Sequence, residues 1–133
     1  MDSRKKRKIS RSGLIKKIDY FFAKFIKNRD NYTCITCGRY YPQGGKKINV
    51  GHYVSRRVYR LRWNEINSNA QCSYCNHHLS GDIITYREKL IEKYGIEKVH
   101  IIEKMRHTKI TYTMDELNKL LDEYIKKCEE IKN

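Results

Sequence analysis

A chain of 133 residues with 29 Lys and Arg against 15 Asp and Glu carries a formal charge of +14 and a pI near 9.6. That length fits one domain with a modest core, and 39% hydrophobic against 33% charged residues calls for a staple such as a metal. The charge implies a polyanionic partner, nucleic acid first and an anionic membrane surface second, and no run reaches the roughly 18 apolar residues of a membrane span.

The charge is localised. From residue 97 onward there are 8 Lys/Arg and 8 Asp/Glu, so the whole excess lies in residues 1–96, which also hold four of the five cysteines. No apolar core of a signal peptide follows the basic start, so a reducing, cytoplasmic setting is expected. In that setting paired C-x-x-C spacings mean metal more often than disulfide.

Residues 1–12 form a basic arm with Lys5, Lys6 and Arg7 at its centre and almost nothing to bury. Two readings stand side by side: sequence-independent contact with DNA phosphates, or a solubilising tail. The remainder, 13–133, reads as one domain with a core over 32–95 and a helical extension over 96–133. Leu14, Ile15, Ile18, Phe21, Phe22, Phe25 and Ile26 recur at spacings of 3 and 4, the pattern of an amphipathic helix ending near Asn28 to Asn31. Tyr40 to Lys47 holds the only proline and the Gly44-Gly45 pair and reads as a turn region; Lys46 to Tyr53 then alternates as a short strand carrying Ile48, Val50 and His52.

Val54 to Arg62 carries Arg56, Arg57, Arg60 and Arg62, interleaved with Tyr53, Tyr59 and Trp63. Mixed basic and aromatic residues suit a DNA-backbone surface with stacking. Beyond Cys75, Ile83, Ile84, Tyr86, Leu90, Ile91 and Tyr94 form a helical stripe stopped by Gly95, and Ile96 to Met105 reads as another short helix. Thr113-Met-Asp-Glu116 is a capping box ahead of Leu117, Leu120, Leu121, Tyr124, Ile125 and Cys128, a scaffold or dimerisation helix.

Chemistry concentrates between Cys34 and His78. Each C-x-x-C, Cys34 with Cys37 and Cys72 with Cys75, presents two thiolates from one tight turn, and two such turns close a tetrahedral zinc site. Four sulfurs leave no open position for water, so this zinc is structural. Catalysis needs a second centre. His52 has the side chain whose pKa best suits a general base at neutral pH, while Asn67, Asn76, His77 and His78 are oxygen and imidazole donors suited to one divalent ion.

The order C-x-x-C, His, Asn, C-x-x-C-Asn resembles the HNH, or ββα-metal, endonucleases with a four-cysteine zinc site. Within that superfamily Gly51-His52-Tyr53-Val-Ser55-Arg56, Leu61-Arg62-Trp63-Asn64-Glu65-Ile-Asn67, Gln71-Cys72-Ser-Tyr-Cys75-Asn76 and Ser80-Gly81-Asp82 are most similar to the NinG/Rap phage recombination proteins. The resemblance spans about residues 34 to 100. It implies an α+β fold: a small zinc-stapled ββα-metal core with a flanking N-terminal helix and C-terminal helices. By the family pattern His52 matches the general base, Asn67 the asparagine that orients the base-bearing hairpin, and Asn76 a metal-ligand position, with His77 and His78 near the third HNH position. One residue departs from the pattern. Many HNH enzymes place a metal-binding aspartate just before the base, and this chain has Gly51. His78 or Asn69 would then complete the metal shell, or His52 itself would be a ligand.

The resemblance thus implies a metal-dependent endonuclease for branched recombination DNA, such as Holliday junctions or D-loops, with structural zinc and catalytic Mg or Mn. It implies work in the cytoplasm of a phage-infected or prophage-bearing cell, beside other phage recombination proteins. Symmetric junction cleavage needs two active sites, so a homodimer is expected. Alternatives are a non-catalytic zinc-stabilised DNA-binding module, which Gly51 favours, and an HNH nuclease without junction preference.

Overall fold

The computed structural model describes residues 9–42 and 47–131. Lys5, Lys6 and Arg7 of the basic arm and the Gly44-Gly45 turn lie outside the described residues. The first helix, α1 (Arg11–Arg29), opens where the Ser10 hydroxyl accepts the Gly13 N–H at 3.1 Å. That cap places Arg11 and Ser12, expected in the arm, inside the helix. Leu14, Ile18, Phe22 and Ile26 are buried on one stripe, each worth about 2 kcal/mol of apolar transfer.

A hairpin follows. Strand β1 (Ile48–His52) pairs antiparallel with β2 (Ser68–Cys72), with Gly51 opposite Asn69 and His52 opposite Ser68. The first strand ends at His52; beyond it the Tyr53 N–H still donates to the Asn67 carbonyl at 2.9 Å, but the Asn67 side chain then takes both the N–H and the carbonyl of Val54 in place of a strand partner. Between the strands lies a one-turn helix, α2 (Tyr59–Arg62). A single π-helical turn (Tyr74–His78) leads to α3 (Ile83–Tyr94) and α4 (Ile96–Lys104). Gly95 joins these two helices at φ +94°, a left-handed corner open to glycine, and its N–H caps the Ile91 carbonyl. The last helix, α5 (Met114–Ile131), starts with the expected capping box: the Glu116 N–H donates to the Thr113 hydroxyl at 3.1 Å, and the Thr113 N–H to the Glu116 carboxylate at 2.8 Å.

Among the described residues three small cores share the interior. Helix α5 packs along α1, where Tyr124 meets Phe22 edge-on at 4.9 Å and the buried Cys128 thiol donates to the Phe21 carbonyl. This is a scaffold contact within one chain. A second core joins Tyr53, Val54 and Leu61 to Tyr86, Leu90, Val99 and Ile102, and a third surrounds the cysteines with Ile48 and Ala70.

An ionic knot locks the hairpin to the helices. Arg29 donates to Asp30 at 2.8 Å, to the Glu65 and Ser68 carbonyls and to the Asn69 side chain; Lys93 of α3 donates to Asp30 at 3.0 Å and to Asn69 at 2.8 Å. Burial pushes the Asp30 carboxyl up, yet Arg29, the Ala70 N–H and Lys93 outweigh it and hold the carboxyl below its ordinary range. One-sided removal of such a partly buried charge costs about 3 kcal/mol.

Candidate functional site

The four cysteines of the two knuckles meet where β2 passes the 34–37 turn. All four sulfurs lie within 4.8 Å of one another, and Cys37 Sγ is 3.8 Å from Cys72 Sγ. Tetrahedral Zn–S bonds of about 2.3 Å set sulfurs about 3.8 Å apart, so the spacing fits a metal such as zinc. In each knuckle the second cysteine's N–H donates to the first cysteine's sulfur at 3.5 Å, so the backbone also favours thiolates. Burial pushes Cys34 up, but the N–H groups of Cys37 and Cys72 and the Thr36 hydroxyl bring it down to about 6. Burial pushes Cys75 up to about 12. A divalent cation at the centre favours the thiolate on all four.

Along β1 a polar cleft of about 450 Å³ is lined by Asn49, Val50, His52, Arg56, Asn76 and His77. His52 closes β1 with its Nε2 2.9 Å from the Arg62 carbonyl oxygen. A carbonyl only accepts, so Nε2 carries the proton and Nδ1 keeps a free lone pair. Burial first, then the charges of Arg56 and Arg62, lowers the His52 pKa against the pull of the carbonyl and Asp19. The imidazole is therefore neutral at neutral pH.

Asn67 is fully buried, and its amide is spent on the loop that follows His52. Its Oδ1 accepts the Val54 N–H at 2.8 Å, and its Nδ2 donates to the Val54 carbonyl at 2.9 Å and the Leu61 carbonyl at 3.2 Å. It offers nothing to the cleft and acts as a positioning residue for the His52 loop.

Four expectations need correction. Arg62, read as a DNA contact, instead forms a two-point pair with Asp19 at 3.0 and 2.6 Å and lies over the rings of Tyr59 and Trp63. Trp63 and Tyr53, read as part of a stacking surface, are buried; the Trp63 indole donates to Asp19 at 2.9 Å and the Tyr53 hydroxyl to Glu103. Asn69 is buried and saturated by Arg29, Lys93, the Ile66 carbonyl and Tyr86, so it cannot complete a metal shell. His78 stacks on Tyr74 with centroids 5.4 Å apart and does not line the cleft, whereas His77 does. Arg56, Arg57 and Arg60 remain exposed without an ion pair among the described residues.

Two residues that sequence reasoning missed support the cleft. Asp19 holds Arg62 and Trp63, and through the Arg62 carbonyl it fixes the ring of His52. Its one signal in the sequence is that it is the sole acid in a lysine-rich helix. Gln71 is the other. It is fully buried, and its Nε2 donates to the Gly81 carbonyl at 2.8 Å and the Thr36 hydroxyl at 3.2 Å, tying the two cysteine knuckles together.

Gln71 also explains Gly51. A Cβ on residue 51 would sit 2.1 Å from Gln71 Oε1 and 3.0 Å from its Cβ and Cδ. A chain without a carboxylate before His52 thus also lacks room for one. Gly51→Ala is expected to cost roughly 2 kcal/mol by overpacking. Combining it with Gln71→Ala should recover at least about 1 kcal/mol of the summed single losses, measured by urea denaturation. Strict additivity would mean that the two side chains do not compete for this space.

Among the described residues no second set of three or more His, Cys, Asp or Glu converges. The oxygen and imidazole donors that line the cleft are Asn49, His52, Asn76 and His77. No helix is long and apolar enough to cross a membrane.

The molecule is a small mixed α+β protein in which the hairpin that helps build a four-cysteine centre, able to take a metal such as zinc, also lines a polar cleft that holds His52. The chain belongs to the NinG family: the family model described as bacteriophage lambda NinG protein matches residues 1–133. It is 34% identical over 125 residues to protein ninG of Escherichia phage lambda, covering 92% of this chain and 59% of that protein. The same name belongs to relatives in Salmonella phage P22, 34% identical, and Escherichia phage 933W, 33% identical, each over 92% of this chain and 60% of theirs. The chain thus spans about 60% of the length of these curated relatives. No solved structure matches it.

Proposed function

We propose that this chain is a metal-dependent endonuclease of the HNH type that hydrolyses phosphodiesters in branched recombination DNA. One observation carries the proposal: His52 is held as the Nε2–H tautomer by the Arg62 carbonyl in a cleft shared with Arg56, Asn76 and His77. In that state Nδ1 can take a proton from water, the role of a general base. Arg56 would neutralise the scissile phosphate, and Asn67 and Asp19 would keep His52 in place. Asn76 and His77 are the residues to hold a divalent ion; Mg or Mn bound there would supply charge for the phosphate and the departing oxygen. Zinc in the four-cysteine centre would hold the hairpin that carries His52 against the turn that carries Asn76 and His77. The setting is the cytoplasm of a phage-infected cell, the partners are DNA and other recombination proteins, and the working form is a homodimer.

A second reading, a non-catalytic DNA-binding module, is favoured by Gly51 and by the absence, among the described residues, of a carboxylate in the cleft. One assay separates the two. Purified protein is mixed with a four-way junction and with matched linear duplex, with Mg, with Mn and with chelator. Nicking that needs the ion and prefers the junction supports the nuclease. Cutting of both DNAs alike would mean a nuclease without junction preference, and salt-sensitive binding with no cutting under any ion would leave the module.

A further inference from the structure

The neutral total of residues 97–133 hides a segregation. Between Glu103 and Asp115 the chain carries Lys104, Arg106 and Lys109 and no acid, while α5 carries six acids against three lysines. Glu103 itself is occupied, accepting from Arg87 at 2.7 Å and from Tyr53. The basic segment is therefore uncompensated by its own neighbours.

Its partner is the loop after His52. The Val58 N–H donates to the Ser55 carbonyl at 3.0 Å, closing a turn with Arg56 and Arg57 at its two central positions. The two arginines serve different spaces. Arg56 lines the His52 cleft, and Arg57 lines a second cleft of about 440 Å³ with Tyr59, Arg106, His107 and Lys109. Arg57, Arg106, His107 and Lys109 are exposed, and none forms an ion pair among the described residues. Cations converging on a concave surface with no acid to answer them concentrate an anionic ligand.

We propose that this second cleft is a phosphate-backbone site, taking the stretch of DNA that continues past the His52 cleft, with Arg56 and Arg57 dividing one backbone between them. The site rests on the nucleic-acid reading above and makes the 104–110 segment part of the DNA interface and not only scaffold.

The test is binding of a synthetic four-way junction across a salt series by wild type, by Arg106→Ala/Lys109→Ala, and by Lys119→Ala/Lys126→Ala. The last pair removes the same charge from exposed positions on α5. Each lost phosphate contact lowers the slope of log affinity against log salt by about 0.9. The cleft variant should therefore lose close to 2 units of slope and bind more than tenfold more weakly near 0.1 M salt. The α5 variant should lose little of either, with matching melting curves for all three proteins. Equal effects of the two variants, or an unchanged slope in the cleft variant, overturn the site. Wild type that binds no DNA overturns both the site and the nuclease reading. A slope change in protein that never cuts leaves the site standing and removes the nuclease.

Discussion

Cys72→Ser is expected to leave most of the chain unfolded at room temperature. Cys72 ends β2, pairs with Ile48, and its sulfur accepts the Cys75 N–H. The third core consists of little besides the cysteines, Ile48 and Ala70, with Tyr32 and Tyr41 against it. Structural zinc in cysteine centres contributes on the order of 10 kcal/mol, comparable to the whole stability of a domain this size. Far-UV circular dichroism and zinc content should fall together in the variant, and a strong chelator should do the same to wild type. Cys128→Ser is the control. That cysteine lies on α5, bonded to the Phe21 carbonyl, and a hydroxyl can keep the bond, so the loss should stay near 1 kcal/mol. A Cys72→Ser protein that melts like wild type, or that still carries one zinc per chain, would remove the metal from the account of the fold.

What could be read from the sequence follows from which residues advertise their burial. Helices α1, α3, α4 and α5 were legible because apolar side chains recur at helical spacing, and the cysteine pairs because thiols at that spacing have few other uses. Strand β2 was not legible as a strand. Its residues are Ser68, Asn69, Ala70, Gln71 and Cys72, all buried, three of them polar side chains that elsewhere mark a surface loop. Two of the three are held inside by bonded amide groups, Gln71 Nε2 on Gly81 and Thr36 and Asn69 on Arg29 and Lys93, whereas Ser68 Oγ and Gln71 Oε1 are buried without a partner among the described residues. Alternation rules register apolar faces and are blind to a strand held by hydrogen bonds.

Details of the candidate site are hidden from the sequence for similar reasons. Asn76, His77 and His78 are three adjacent donors, and which of them faces the cleft depends on a π-helical turn that no periodicity announces. The arginine-rich loop looked like a uniform basic surface, yet Arg62 faces inward to Asp19, a partner 43 residues away in sequence. Charge counts cannot separate an arginine that awaits a phosphate from one already paired. The neutral C-terminal region shows the converse, because its sum conceals a basic segment beside the site.

His52→Ala should lower cleavage by roughly a hundred- to ten-thousandfold, the range a general base contributes, while junction affinity changes by less than about threefold. The separation follows from the geometry. His52 at neutral pH is uncharged, so removing it subtracts no phosphate-neutralising cation, and Arg56, Arg57 and Arg60 stay exposed. Its ring gives one hydrogen bond to the Arg62 carbonyl, whose backbone is fixed independently by Asp19 through the Arg62 guanidinium and the Trp63 indole, so the cleft should outlast the substitution. Single-turnover cleavage and equilibrium binding on the same junction read the two quantities separately. Undiminished cutting by His52→Ala would end the catalytic assignment. Loss of binding equal to the loss of cutting would recast His52 as part of the DNA surface, and would move the chemistry, if any remains, to residues other than those lining this cleft.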